Sequence, residues 1–396
     1  MTPPPSTLIR RLTVAQALAV AGTTVDLTLT GIVGARLAPS AALATLPYAS
    51  IFLVAGISTA FISRALTRFR PRTVFTTTAL AAVASGVVSS LGLQFSSFWL
   101  FCTGTALVGI YTAGAAYYRY TAAEAAPEAR ARAVSTVLSG GLVAAIIGPF
   151  LATALQGLTS TPFVGSYLLV ALLGVCAAVW NSRLPALTST TADTPESGAA
   201  ARPRRMRELW AQPRLWAGLV GATVAMSTMS AMMTAGPILG EQVGHSAVVT
   251  AFAVQLHMIG MYAPGFLAAR IIGRVGEPRV VLAGALLIAT AGITAAVGTS
   301  LALFLAAMFL VGVGWNLAYS GGSALITTAY RPNERTHVQG IAEPIIVAAQ
   351  VAGAFSATAF TNASGWLLLG YLSLGLGILA ALAAMLGARK IRAEAT

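Results

Sequence analysis

Twelve stretches of about 20 apolar residues alternate with polar turns, near residues 12–34, 43–63, 73–93, 98–118, 133–155, 163–182, 214–238, 247–269, 279–298, 301–323, 337–360 and 365–387. Each is long enough for a helix to cross a ~30 Å hydrocarbon layer once. A lipid-exposed backbone must satisfy its own hydrogen bonds, so the pattern predicts an all-α membrane protein with twelve transmembrane helices. One long polar interval, 181–213, divides the spans into two sets of six. It holds Thr188, Ser189, Thr190 and Thr191 and the basic residues Arg202, Arg204, Arg205 and Arg207. The chain is therefore read as an N-terminal half (1–182), a linker (183–213) and a C-terminal half (214–396). Within the linker, 204–212 is expected to lie on the membrane as an amphipathic helix, with Met206, Leu209 and Trp210 turned inward.

Composition agrees with a lipid environment, because 57% of the residues are hydrophobic and only 9% charged, against about 25% charged in soluble proteins. The net charge of +13 could mark a nucleic-acid binder, but its placement argues against one. If the N-terminus is cytoplasmic, every Lys and Arg except Arg36 falls on the cytoplasmic side. That asymmetry is the positive-inside pattern, so both termini are expected in the cytoplasm of a bacterial inner membrane, facing lipid headgroups and no nucleic acid. Arg10 and Arg11 precede the first span as they would a signal peptide, yet the apolar run is too long for a signal core, so that span is expected to be retained. Cys102 and Cys176 sit inside spans 4 and 6 and imply no disulfide framework. Three histidines and two separated cysteines form no catalytic constellation, so no enzymatic activity and no cofactor are expected. The chain is expected to act as a monomer.

The halves repeat weakly. Arg68 follows span 2 and Arg274 follows span 8, and 274 − 68 = 206. Pro127-Glu128-Ala129-Arg130-Ala131-Arg132 follows span 4, and Pro332-Asn333-Glu334-Arg335-Thr336-His337 follows span 10, and 332 − 127 = 205. Two matches at nearly one offset indicate a duplicated unit, as secondary transporters often contain.

Ionisable groups inside a bilayer cost about 2.5–3.5 kcal/mol each, which makes them functional candidates. Asp26 in span 1 and Glu343 in span 11 are the candidates for proton coupling, and Glu343 also suits a latch to a loop arginine. Soft ligands are concentrated elsewhere. Met226, Met229, Met232, Met233, Met258 and Met261 are six of the ten methionines, on spans 7 and 8. Met229 and Met233 are one helical turn apart, as are His257 and Met261. With a rise of ~1.5 Å per residue on antiparallel helices, Met233, Met229, His257 and Met261 would form a ladder across the membrane midplane. Thioether and imidazole ligands select copper. The same methionines also suit adaptable packing. Pro264 withdraws the hydrogen bond to the Gly260 carbonyl nearby. A second set, Gln255, Trp315, Asn316 and Tyr319, could stack and hydrogen-bond a flat heterocycle.

The basic turns after spans 2 and 8, with Arg68, Arg72, Arg274 and Arg279, resemble the cytoplasmic latch of the major facilitator superfamily. Ser63 and Ala269 stand where its glycine is expected, and Thr67 and Gly273 where its acid is expected. Gly148-Pro149 resembles the family's antiporter motif without the closing glycines. The chain is similar to the branch containing CcoA-type copper importers and RfnT-type riboflavin importers. This similarity rests on Ala44-Thr45-Leu46-Pro47, Tyr117-Tyr118-Arg119-Tyr120, Gln255-x-His257-x-x-Gly260-Met261, Gly314-Trp315-Asn316 and Val338-Gln339-Gly340. The resemblance implies the major facilitator fold, alternating access and import of a small solute. In the copper importers, M-x-x-x-M and H-x-x-x-M motifs serve metal uptake, and they match Met229, Met233, His257 and Met261. Copper is therefore the expected cargo, with a riboflavin-like vitamin, or an expelled drug or toxic compound, as the alternative.

Overall fold

The computed structural model describes residues 5–40, 43, 46–185, 204–363 and 365–393. Ala44, Thr45, Thr188, Ser189, Thr190, Thr191 and Arg202 lie outside these residues. In chain order the helices are α1 (Pro5–Leu37), α2 (Leu46–Arg68), α3 (Pro71–Gln94), α4 (Phe98–Ala116), α5 (Tyr118–Ala125), α6 (Arg130–Ser139), α7 (Gly141–Ala154) and α8 (Val164–Ser182). They continue as α9 (Met206–Trp210), α10 (Pro213–Gln242), α11 (Ala247–Tyr262), α12 (Gly265–Val275), α13 (Glu277–Val297), α14 (Leu301–Ala329), α15 (Arg335–Ala363) and α16 (Gly365–Ala393).

Eleven helical runs among the described residues are long and apolar enough to cross a membrane. The remaining span, expected as one helix over 247–269, is two pieces, α11 and α12. Pro264 causes the break, since its ring cannot donate to the Gly260 carbonyl and collides with that turn. The Ala263 amide closes α11 on Ile259, and α12 starts afresh at Gly265. Counting this broken span, the described residues hold the twelve helical spans read from the apolar pattern. The first span is longer than expected, because α1 already begins at Pro5.

Local signals explain the ends. Ser97 and Ser246 cap α4 and α11 by accepting from the amides of Leu100 and Val249. Pro71 stands at the first turn of α3, where its missing amide costs nothing. Gly276, at φ +84°, makes the left-handed turn between α12 and α13 that other residues adopt only under strain. The two repeated loops take one form: Pro127–Ala129 and Pro332–Glu334 are both 3₁₀ turns headed by proline, and each leads into a helix beginning at the following arginine. Several hydroxyls inside the helices bond back one turn, as Thr59 does to Ala55 and Thr228 to Val224, and so satisfy their own donors.

The residues group into two compact units. The first comprises 1–125, 143–197 and 339–344. In it α3 packs between α4 and α8, α2 lies on α4 and α1 on α8, around Val25, Leu29, Phe101, Tyr167 and Val170. The second comprises 126–142, 198–338 and 345–396. There α13 packs on α14 and α16, α14 on α10 and α11, and α6 on α12, around Met232, Leu239, Phe304, Met308 and Trp366. The α15 helix runs through both sets, and Pro344, inside it, is the last residue assigned to the first unit.

Candidate functional site

The polar residues of span 8 and span 10 meet in the second unit. The α11 and α14 helices approach so closely at Gly312 that a methyl group there would strike the His257 carbonyl. His257 is fully buried, and its Nδ1 lies 2.8 Å from the Met308 carbonyl. A carbonyl only accepts, so Nδ1 carries the proton and the neutral ring presents Nε2 as an acceptor. Nε2 has no partner. One turn further along α11, the Met261 carbonyl, close to the break at Pro264, accepts from Asn316 Nδ2 at 2.6 Å. Asn316 is also fully buried, and its Oδ1 is unpartnered. The aromatic residues on either side of Asn316 form a stack, Trp315 on Tyr319, with centroids 4.9 Å apart and planes 18° apart. Tyr262 meets Trp315 edge-on at 6.1 Å. The indole Nε1 of Trp315 donates to the Met226 sulfur at 3.0 Å.

The methionine ladder is placed differently from the aromatic set. Met229 and Met233 are partly buried and pack against the apolar cluster of Met232, Leu239, Phe304 and Met308. Met261 is buried beside His257, and Gln255 is half-buried. Two residues from His257, Gln255 faces another side of α11. No group of three His, Cys, Asp or Glu side chains gathers as a metal site among the described residues. The copper reading thus gains no support from this packing, in which the paired thioethers of α10 fill gaps in a core.

Both candidate acids lie in the first unit. Asp26 is fully buried on α1, accepts from Thr30 Oγ1 at 3.0 Å, and leaves Oδ2 without a partner. Thr30 in turn lies 3.1 Å from the Tyr167 hydroxyl of α8. Glu343 is held by Arg119 at 2.5 Å and by the Tyr120 hydroxyl, all buried. Next to it, Gln339 donates to Glu124 at 3.3 Å. Arg119 and Tyr120 enter the sequence reading only through the resemblance carried by Tyr117-Tyr118-Arg119-Tyr120, and not as site residues. The signal is an arginine enclosed by Tyr117, Tyr118 and Tyr120, with no charged residue between it and Arg72.

A third buried acid, Glu334, organises the end of the linker. Arg204 pairs with Glu334 at 2.6 Å and makes further bonds to it through its backbone amide and Nε. Arg204 Nη2 also donates to the Ala329 carbonyl. Hydrogen bonding to Glu334 raises the Arg204 pKa above its ordinary value, and burial opposes this less strongly. In α9, expected as an amphipathic segment, Leu209 is buried and Trp210 half-buried. Of the four expected latch residues, Arg68, Arg274 and Arg279 are exposed and Arg72 is half-buried. Arg279 donates to the Val275 carbonyl, and none of the four joins an ion pair among the described residues.

Twelve apolar spans, a broken helix beside buried polar groups and paired buried charges define a multi-pass membrane transporter. The family model of the Major Facilitator Superfamily matches residues 12–276 and 237–395, and the chain belongs to that superfamily. It is 32% identical over 359 residues to the riboflavin transporter RfnT of Brucella anthropi, covering 90% of this chain and 89% of the relative. It is also 24% identical to the uncharacterized transporter YddS of Bacillus subtilis, covering 69% of this chain and 65% of that one. Among solved structures, the human organic anion transporter MFSD10 superposes with a TM-score of 0.76 at 17% identity, over 96% of this chain and all of the other. The Escherichia coli fucose:proton symporter FucP gives 0.74 at 13% identity, over 97% and 99%. At such identities these structures speak for the fold alone.

Proposed function

We propose that this transporter carries a flat organic solute of the riboflavin type into the cell. The observation that supports this cargo best is the stacked Trp315–Tyr319 pair on the same helix as the buried amide of Asn316. Aromatic faces hold a planar heterocycle, and a small number of placed polar groups fix its orientation. The similarity to a riboflavin transporter along nine-tenths of both chains supports the same cargo. Transport proceeds by alternating access of two six-helix halves, 1–182 and 214–396, with both termini in the cytoplasm, as the arginine distribution favours. Asp26 is the proposed proton-coupling group, since among the described residues it is the buried carboxyl without a cationic partner. Glu343 is engaged by Arg119 and serves as a latch.

The direct test is uptake of labelled riboflavin by a riboflavin-auxotrophic bacterium expressing the full chain. Uptake well above the empty-vector strain is expected. Uptake equal to that strain defeats the reading.

A further inference from the structure

The buried polar atoms around α11 and α14 are satisfied on one side and bare on the other. His257 uses Nδ1 on the Met308 carbonyl and leaves Nε2 without a partner, while Asn316 uses Nδ2 on the Met261 carbonyl and leaves Oδ1 without one. Neither side chain can turn to exchange these roles without abandoning a backbone carbonyl inside an apolar helix pair. Both bare atoms are acceptors, and both residues are wholly buried. A buried acceptor without a donor is strongly disfavoured, and natural proteins contain few of them. Two on facing helices, next to a stacked aromatic pair, are complementary to a ligand that brings its own donors.

We propose that Asn316 Oδ1 and His257 Nε2 are the specificity-determining acceptors of the cargo site. Asn316, on the same helix as the Trp315–Tyr319 stack, accepts from an imide N–H on the edge of the flat ring. His257, towards Met308 on α14, accepts from a hydroxyl on the polyol chain. Asn316 also secures the free carbonyl end of α11, so reading the ring and holding the broken helix fall to the two ends of one amide. The inference rests on the flavin reading and adds which atoms of the cargo are recognised. A site built around such acceptors rejects analogues lacking the donor much more strongly than one that only encloses shape.

The experiment compares uptake of riboflavin, 3-methylriboflavin, whose imide N–H is replaced by a methyl group, and lumiflavin, which lacks the polyol chain. In the wild type each analogue should enter at least about tenfold more slowly than riboflavin. Asn316→Leu should bring 3-methylriboflavin within roughly twofold of riboflavin while retaining the penalty on lumiflavin, and His257→Phe should do the reverse. The ratios are internal to each strain, so a fall in expression leaves them readable, and the wild-type arm needs no variant to fold. If riboflavin itself is not taken up, the flavin reading fails and this inference falls with it. If riboflavin enters but the analogues enter equally fast, or the variants keep the wild-type ratios, only this inference is overturned. His257-dependent accumulation of copper in the same strains would also overturn it, by making Nε2 a metal ligand.

Discussion

Arg119 and Glu343 stand 224 positions apart in the chain and meet at 2.5 Å, with side chains 2% and 1% exposed. In a buried pair the Coulomb attraction does little more than offset desolvation, whereas removing one partner strands the other charge. The single replacements Arg119→Ala and Glu343→Ala are each expected to destabilise the first unit by about 3–5 kcal/mol. The apolar double replacement Arg119→Met with Glu343→Leu should recover most of that loss. Thermal unfolding of the purified protein in detergent checks this. A double variant as unstable as the singles would refute an isolated pair and point to a wider network through Tyr120.

The linker end should be held by Glu334. Glu334→Gln keeps the shape but removes the charge that Arg204 and the Arg331 amide share. Trypsin is expected to cut after Arg204, Arg205 or Arg207 several-fold faster in this variant. Because the folded Arg204 pKa is raised, its contribution is complete below the unfolded value and is lost only as pH rises through the folded one. Wild-type cutting, corrected for trypsin's own profile, should thus be flat from roughly pH 7 to 10.

The methionines of α10 should behave as packing residues. Replacing Met229 and Met233 together by Leu conserves volume and is expected to cost less than about 1.5 kcal/mol. Riboflavin uptake should persist, and cellular copper, read by elemental analysis, should match the empty-vector strain. A rise in copper with the wild type that vanishes in the Leu pair would restore the thioether ladder as a metal path.

Asp26→Asn should separate accumulation from exchange. The amide preserves the shape next to Thr30 but cannot carry a proton. Concentrative uptake driven by a pH gradient is expected to fall to simple equilibration, whereas exchange of labelled for unlabelled cargo in proteoliposomes continues. Accumulation at the wild-type level would remove Asp26 from the coupling step.

Apolar run length carries most of this fold, because a lipid solvent allows few alternatives to a helix of about 20 residues. The repeated P-x-x-R loops were equally legible, since proline at the head of a turn and a helix beginning at the arginine are local choices. Pro264 announced a bend, and Asn316 was visible as a polar residue in an apolar run. Its bond to the Met261 carbonyl was not, because it depends on how two distant helices are rotated. The partners of Arg119 and Arg204 were hidden for the same reason. Charge near a span end reads as solvated until a buried acid from elsewhere in the chain arrives beside it. The methionine spacing pointed to a metal because periodicity reports which residues share a helix face. It does not tell whether that face meets a cavity or a neighbouring core.

Two helices, α7 and α15, are divided between the compact units, and in α15 the assignment changes after Pro344. Proline there deprives the Gly340 carbonyl of its helical donor, as Pro264 does for Gly260. A rod with one missing rung creases at that rung. The weakest hydrogen-bonded turn of α15 thus falls where its assignment passes from one unit to the other.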